Sequence, residues 1–93
     1  MLIRILIVDD DPEMLRAVED ALSGHEFSIY SAVDGQSALT LAHEHKPDLV
    51  VLDERCDPSG GFVNKVKAQK KMSLTSVIKI YPEKEAVGRE RDF

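Results

Sequence analysis

The sequence predicts an α/β domain with three layers, in which a parallel sheet lies between helices on both of its faces. Apolar segments rich in valine, isoleucine and leucine alternate along the chain with amphipathic segments of helical spacing. This alternation is typical of right-handed crossovers between parallel strands. The strand candidates are apolar almost throughout, as expected of strands covered on both faces. A chain of 93 residues suffices for one domain with one modest core.

Each predicted element has a local signal in the sequence. Asp11 precedes Pro12, and a proline suits the first turn of a helix because its missing N–H has no partner there anyway. Apolar residues then repeat at helical spacing until Gly24 offers a stop, and Pro47 ends the second helix. We predict strands over residues 2–8, 27–33, 48–53 and 77–81, and helices from Pro12, over 36–45 and over about 62–72.

Composition and charge exclude several classes of protein. Hydrophobic residues make up 43% of the chain and charged residues 31%, which is ordinary for a globular domain. The net charge of −5 predicts no direct binding of nucleic acid by this segment. No apolar run reaches the roughly 20 residues that a bilayer requires, and Arg4 interrupts the apolar N-terminus, which argues against a signal peptide. The single cysteine, Cys56, fits a reducing compartment, so we predict a cytoplasmic protein with no membrane partner.

Acidic residues follow two of the predicted strands. Asp9 and Asp10 come directly after the first strand, and Asp53 ends the third. Ligands of open parallel sheets bind beyond the carboxyl ends of the strands, so these side chains are expected to share one crevice. Carboxylates held so close repel one another unless a cation is present, and hard oxygen ligands suit Mg²⁺. Asp11 is better explained as a helix cap. The sequence therefore predicts a Mg²⁺ site at Asp9, Asp10 and Asp53.

The segments ILIVDDDPEM, DGQSAL and DLVVLD, in this order and spacing, resemble the receiver domain of bacterial two-component response regulators. The resemblance extends over about residues 3–81 and implies a flavodoxin-like fold with strand order 2-1-3-4. It implies that Asp53 accepts a phosphoryl group from a histidine kinase or phosphotransfer protein. It also implies that Asp10 binds Mg²⁺ directly, that Asp9 acts through a bound water, and that the backbone carbonyl of Arg55 is a further ligand. The metal would neutralise the transferring oxygens.

Two positions near the predicted acceptor depart from the family pattern. Asp57 stands where the family usually has a proline, and Pro58 follows one residue late. We therefore expect an altered loop and an additional negative charge close to the phosphorylation site. Tyr81 stands at the switch position, where the family has a serine or threonine that binds the phosphoryl group. The bulk of Tyr81 predicts that this contact is not made in the same way.

The C-terminal part also departs from the family. Its fifth strand and fifth helix have no counterpart, so the resemblance is to a short or C-terminally truncated form. We predict a receiver-like domain over residues 1–82 and a polar tail over 83–93 that begins a fourth helix or is disordered. The missing elements would leave an apolar sheet face uncovered and the fourth strand at an edge, where Lys79 discourages open-ended pairing. A homodimer that buries this face is therefore expected.

Two functions from different classes remain open. The first is a phosphorylatable signalling receiver, which is not an enzyme on other substrates. The second is a degenerate receiver-like interaction module that phosphorylation does not switch. A phosphatase of the haloacid-dehalogenase type is disfavoured, because that chemistry needs a second aspartate where Arg55 stands. The acidic residues favour the first function, whereas Asp57 and Tyr81 favour the second.

Overall fold

The computed structural model describes residues 2–24, 26–69 and 75–81. Its elements in chain order are β1 (Ile3–Val8), α1 (Pro12–Leu22), β2 (Phe27–Ala32), α2 (Gly35–His45), β3 (Leu49–Asp53), a 3₁₀ turn (Glu54–Cys56), α3 (Gly61–Ala68) and β4 (Ser76–Ile80). The four described strands form one parallel sheet in the order β2-β1-β3-β4. The predicted strand order and parallel pairing are therefore confirmed.

The sheet is covered by helices on both faces. On one face, α2 and α3 pack over alternate residues of the central strands. The buried cluster on this face consists of Leu6, Val8, Ala32, Ala38, Ala42, Val50, Leu52, Phe62 and Val66. The intervening residues of β1, Ile5 and Ile7, are also buried and point to the opposite face, the one that α1 occupies. The three-layer α/β architecture is thus confirmed.

Helices α1 and α2 begin at aspartate caps. The Asp11 carboxylate accepts a hydrogen bond from the Glu13 backbone N–H at 3.0 Å, which confirms the predicted cap of α1. Asp34 caps α2 in the same way, by accepting from the Ser37 backbone N–H at 2.7 Å. This second cap was not predicted. At the other end of α2, Lys46 adopts a left-handed conformation with φ of 48° before Pro47.

The bounds of several elements differ from the prediction. The third helix was expected over about 62–72, but α3 ends at Ala68 and Gln69 is already extended. All four strands start or end one residue away from the predicted positions. Residues 70–74 and the predicted tail over 83–93 lie outside the described residues, so the division at residue 82 stays a prediction. None of the three described helices is both long and apolar enough to cross a membrane.

Candidate functional site

The structure brings the three predicted carboxylates together at the carboxyl edge of the sheet. Asp9 is the first residue after β1 and Asp53 is the last residue of β3, and these two strands are neighbours in the sheet. One carboxylate oxygen each from Asp9, Asp10 and Asp53 lies within 4.8 Å of the others. Parallel pairing accounts for this, because Val8 pairs with Leu52 and the next residues of both strands must then emerge side by side.

The three carboxylates differ in exposure and charge. Asp9 and Asp53 are buried, whereas the Asp10 side chain is 64% exposed. Burial raises the pKa of Asp9, and the nearby charges of Asp53 and Asp10 raise it further. A hydrogen bond of 2.9 Å from the Asp11 backbone N–H to Asp9 Oδ1 partly opposes this rise in pKa. The cluster therefore holds more negative charge than its setting favours, and a cation would stabilise it.

The side chain of Arg55 supplies one such positive charge. Its Nη2 donates to Asp53 Oδ2 at 2.6 Å, and its Nε lies 3.2 Å from both carboxylate oxygens of Asp53. The same Nη2 lies 4.0 Å from Asp10 Oδ1. The Arg55 side chain therefore lowers the pKa of Asp53, and the two carboxylates raise the pKa of the guanidinium. The resemblance to the family implied a role only for the backbone carbonyl of Arg55, and the ion pair of its side chain was not predicted.

A tight turn produces the contact between Arg55 and Asp53. The turn Glu54–Cys56 is a 3₁₀ helix, with Asp53 as its N-cap. The backbone N–H of Arg55 donates to Asp53 Oδ1 at 2.9 Å, and this bond brings the start of the Arg55 side chain back over the carboxylate. An arginine two residues after an acid at a strand end is the signal that could have predicted the pair.

A small cavity of about 220 Å³ opens beside the acidic cluster. Its lining residues are Asp9, Asp11, Met14, Asp53, Arg55, Ile80 and Tyr81. Tyr81, at the predicted switch position, thus lies in the same cavity as the predicted acceptor. Met14 and Ile80 were not predicted as lining residues, although Ile80 pairs with Asp53 in the sheet register. The carboxylate of Asp53 therefore borders a cavity, while Arg55 contacts both of its oxygens.

Asp57 is not among the residues that line this cavity. Its carboxylate is buried, with Oδ1 accepting from the Phe62 backbone N–H at 2.9 Å and Oδ2 from the Val63 backbone N–H at 3.3 Å. Asp57 therefore binds the N-terminal N–H groups of α3. It lines a separate groove of about 550 Å³ near α2 and α3, which contains none of Asp9, Asp10 and Asp53. The buried carboxylate of Asp57 thus serves the start of α3, and an effect of its charge on the acceptor stays a prediction.

Comparison with known proteins identifies the family. A family model described as the response regulator receiver domain matches residues 5–80. The chain belongs to the response regulator receiver domain family. Members of this family are signalling domains of two-component systems, which agrees with the prediction of a signalling receiver.

Several curated relatives of the receiver domain are regulators. The transcriptional regulatory protein PrrA of Mycobacterium tuberculosis is 46% identical over 50 residues, which are 54% of this chain and 22% of PrrA. The probable transcriptional regulator ycf27 of Galdieria sulphuraria is 46% identical over 59 residues, which are 63% of this chain and 23% of that protein. The matched part thus spans less than a quarter of the length of these relatives.

The solved structures include a close structural match. The chemotaxis response regulator CheY4 of Vibrio cholerae aligns with a TM-score of 0.77 and 25% sequence identity, covering 97% of this chain and 80% of the CheY4 chain. This similarity supports the flavodoxin-like receiver fold of the described residues.

Proposed function

We propose that this receiver domain accepts a phosphoryl group on Asp53 from a histidine kinase or phosphotransfer protein in the cytoplasm, in a reaction that depends on Mg²⁺. The observation that carries the proposal is the position of Asp53. Its carboxylate lies at the end of a central strand, within 4.8 Å of oxygens of two further aspartates, and lines a cavity open to a ligand.

The residues present fit a magnesium ion. All three side-chain donors are hard carboxylate oxygens. The pKa of Asp9 is raised first by its burial and further by the charges of Asp53 and Asp10, which a cation would balance. Asp10 and Asp53 would bind the ion directly, Asp9 through a water, and Arg55 through its backbone carbonyl. When bound, Mg²⁺ supplies positive charge to the oxygens of the transferring phosphoryl group.

Asp53 is suited to be the nucleophile of the transfer. A carboxylate oxygen forms the new bond to phosphorus while the bond from phosphorus to the donor histidine nitrogen breaks, and the nitrogen keeps the electron pair. The lowered pKa of Asp53 keeps the group ionised, as this attack requires. The Arg55 backbone N–H holds Oδ1 at 2.9 Å and so fixes the orientation of the carboxylate.

The alternative is a degenerate receiver-like module that acts through its surface. Two observations favour it. Tyr81 lines the cavity at the position where the family has a small hydroxyl side chain, and Arg55 contacts both carboxylate oxygens of Asp53. In this case Asp53 would be a structural partner of Arg55 and would not accept a phosphoryl group.

Incubation with acetyl phosphate and Mg²⁺, followed by intact-mass measurement, separates the two functions. The phosphoacceptor function predicts a gain of one phosphoryl group that Asp53→Asn abolishes. Asp20→Asn is the matched control, because Asp20 is an exposed aspartate of α1, and this variant should be modified like the wild type. An unmodified wild type that remains folded would favour the degenerate module.

We also propose that the chain forms a homodimer through the sheet face that carries Ile78 and Ile80. Both side chains are exposed on β4, which pairs only with β3 among the described strands. Exposed apolar side chains on an edge strand favour association with a second copy.

A further inference from the structure

The guanidinium of Arg55 contacts Asp53 and extends toward Asp10, two of the three residues proposed to hold a metal. Nη2 lies 2.6 Å from Asp53 Oδ2, Nε contacts both Asp53 oxygens at 3.2 Å, and Nη2 extends to within 4.0 Å of Asp10 Oδ1. We propose that Arg55 is an internal counter-ion that occupies this side of Asp53 and that a divalent cation must displace it. This inference rests on the proposed function, because it concerns the same metal site.

The contacts of the guanidinium with Asp53 and Asp10 oppose the binding of a cation by the same two residues. A cation held by Asp53 and Asp10 would compete with the guanidinium for the same two carboxylates, and two positive charges that share a carboxylate at contact distance repel strongly. The guanidinium contacts Asp53 Oδ2 and lies 4.0 Å from Asp10 Oδ1, and these oxygens belong to two of the three carboxylates proposed to hold Mg²⁺. A cation can therefore bind both carboxylates only when the Arg55 side chain moves away.

The Arg55 side chain is free to make this movement. It is 53% exposed, whereas the Asp53 side chain is only 5% exposed, so the guanidinium would be solvated as it leaves. The Arg55 backbone N–H is separate from this movement, because it is fixed in the 3₁₀ turn and continues to hold Asp53 Oδ1. Displacement of the side chain thus leaves the orientation of the acceptor carboxylate intact.

The consequence is a weaker metal site than three converging carboxylates would otherwise give. Arg55 stabilises the metal-free form through its pair with Asp53 and through its attraction to Asp9 and Asp10. An interaction that exists only in the metal-free form lowers the affinity for Mg²⁺ by the factor by which it stabilises that form. Removal of the guanidinium should therefore tighten the binding of Mg²⁺, because it removes both the competing ion pair and the repulsion between the two positive charges.

Titration with Mg²⁺, followed by amide chemical shifts near Asp9 and Asp53, tests the proposal. Arg55→Met should bind Mg²⁺ about threefold to tenfold more tightly than the wild type. Arg55→Lys should fall between the two, because an ammonium cannot contact both Asp53 oxygens in the same planar arrangement. Arg16→Met is the matched control: Arg16 is an exposed arginine of α1, and loss of its charge should change the affinity by less than about twofold.

A second measurement follows the Arg55 side chain itself. In the metal-free wild type its Nε–H donates to Asp53 and should exchange slowly with water, and saturation with Mg²⁺ should make this exchange faster. The proposal is overturned by equal Mg²⁺ affinities of the wild type and Arg55→Met, by an Nε–H that keeps its protection at saturation, or by the absence of Mg²⁺ binding in every form.

These outcomes are distinct from those of the phosphorylation experiment. If Arg55→Met does not tighten Mg²⁺ binding but Asp53 still gains a phosphoryl group, only the counter-ion role of Arg55 fails. If Arg55→Met binds Mg²⁺ more tightly but Asp53 is never modified, the counter-ion role stands and the phosphoacceptor function fails.

Discussion

At the scale of single residues, Asp57 and Asp53 lie close in sequence but bind different partners. Asp53 ends a strand and pairs with the side chain of Arg55 at 2.6 Å. Asp57 follows the 3₁₀ turn, and its buried carboxylate accepts two hydrogen bonds from the Phe62 and Val63 N–H groups in the first turn of α3. The loop between the two residues directs one carboxylate to the cavity and the other to a helix start. A proline at position 57 could not provide this cap.

We expect Asp57→Ala to lower the free energy of unfolding by about 1–2 kcal/mol, because it leaves the N–H groups of Phe62 and Val63 without their acceptor. Asp57→Asn, which keeps one acceptor oxygen, should lower it by less. Urea denaturation measures both effects, and Asp20→Ala on the exposed side of α1 is the control. If the midpoints of Asp57→Ala and the wild type coincide, the capping role of Asp57 is wrong.

The positions of the site residues followed from the sequence, whereas several of their contacts did not. Asp9 and Asp53 could be placed at one sheet edge because parallel strands bring their carboxyl ends together. The ion pair of Arg55 depends on the 3₁₀ turn, and the cap by Asp57 joins residues five and six positions apart across a loop. Neither the 3₁₀ turn nor the loop has a regular pattern of residues, so the sequence alone did not predict these contacts. The metal, the phosphoryl transfer and the switch role of Tyr81 stay predictions.

At the scale of elements, the strands and the first two helices were predicted to within about a residue, because apolar runs, caps and prolines mark them locally. The end of α3 was predicted about four residues too late. The residues after Ala68 include lysine, glutamine and methionine, whose propensity favours a longer helix. In the structure Gln69 is extended, and Lys67 Nζ donates to the Thr75 carbonyl at 2.9 Å. This contact with the start of β4 is tertiary, so local propensity does not report it.

A second prediction concerns how strand β4 and Tyr81 respond to phosphorylation of Asp53. In the family a small hydroxyl side chain at the position of Tyr81 would sense the phosphoryl group, and a ligand shifts a conformational equilibrium only through such differential contacts. We therefore expect phosphorylation of Asp53 to change hydrogen exchange in β4 (Ser76–Ile80) only slightly. Tyr81→Thr should restore the coupling and slow exchange in β4 by about fivefold or more on phosphorylation.

Hydrogen exchange followed by mass spectrometry, with and without acetyl phosphate, gives these values. Tyr81→Phe is the control, because it keeps the aromatic ring in the cavity without a hydroxyl, and it should respond like the wild type. A large change across β4 in the phosphorylated wild type would show that Tyr81 senses the phosphoryl group after all.

At the scale of the whole molecule, the three described helices cover the two faces of the sheet unequally. Both α2 and α3 pack on one face, where Val50 and Leu52 are fully buried. The other face is the side of α1, and there Val51 pairs with Ile78, which is 52% exposed. Ile80 is two residues further along β4 and therefore on the same face, and it is 38% exposed. Exposed apolar side chains therefore gather on the outer part of the α1 face.

We expect this face to associate with its own copy. A two-fold contact brings Ile78 of one subunit against the same region of the other and removes apolar surface from water, the commonest closed arrangement for such a face. Ile78→Glu should weaken the dimer by about tenfold or more, because it would bury an unpaired charge. Val33→Glu is the control: Val33 is equally exposed, at 54%, but follows β2 at the far side of the sheet. Sedimentation equilibrium at micromolar concentration measures the association, and a well-folded wild type at the monomer mass of 10.4 kDa would contradict it.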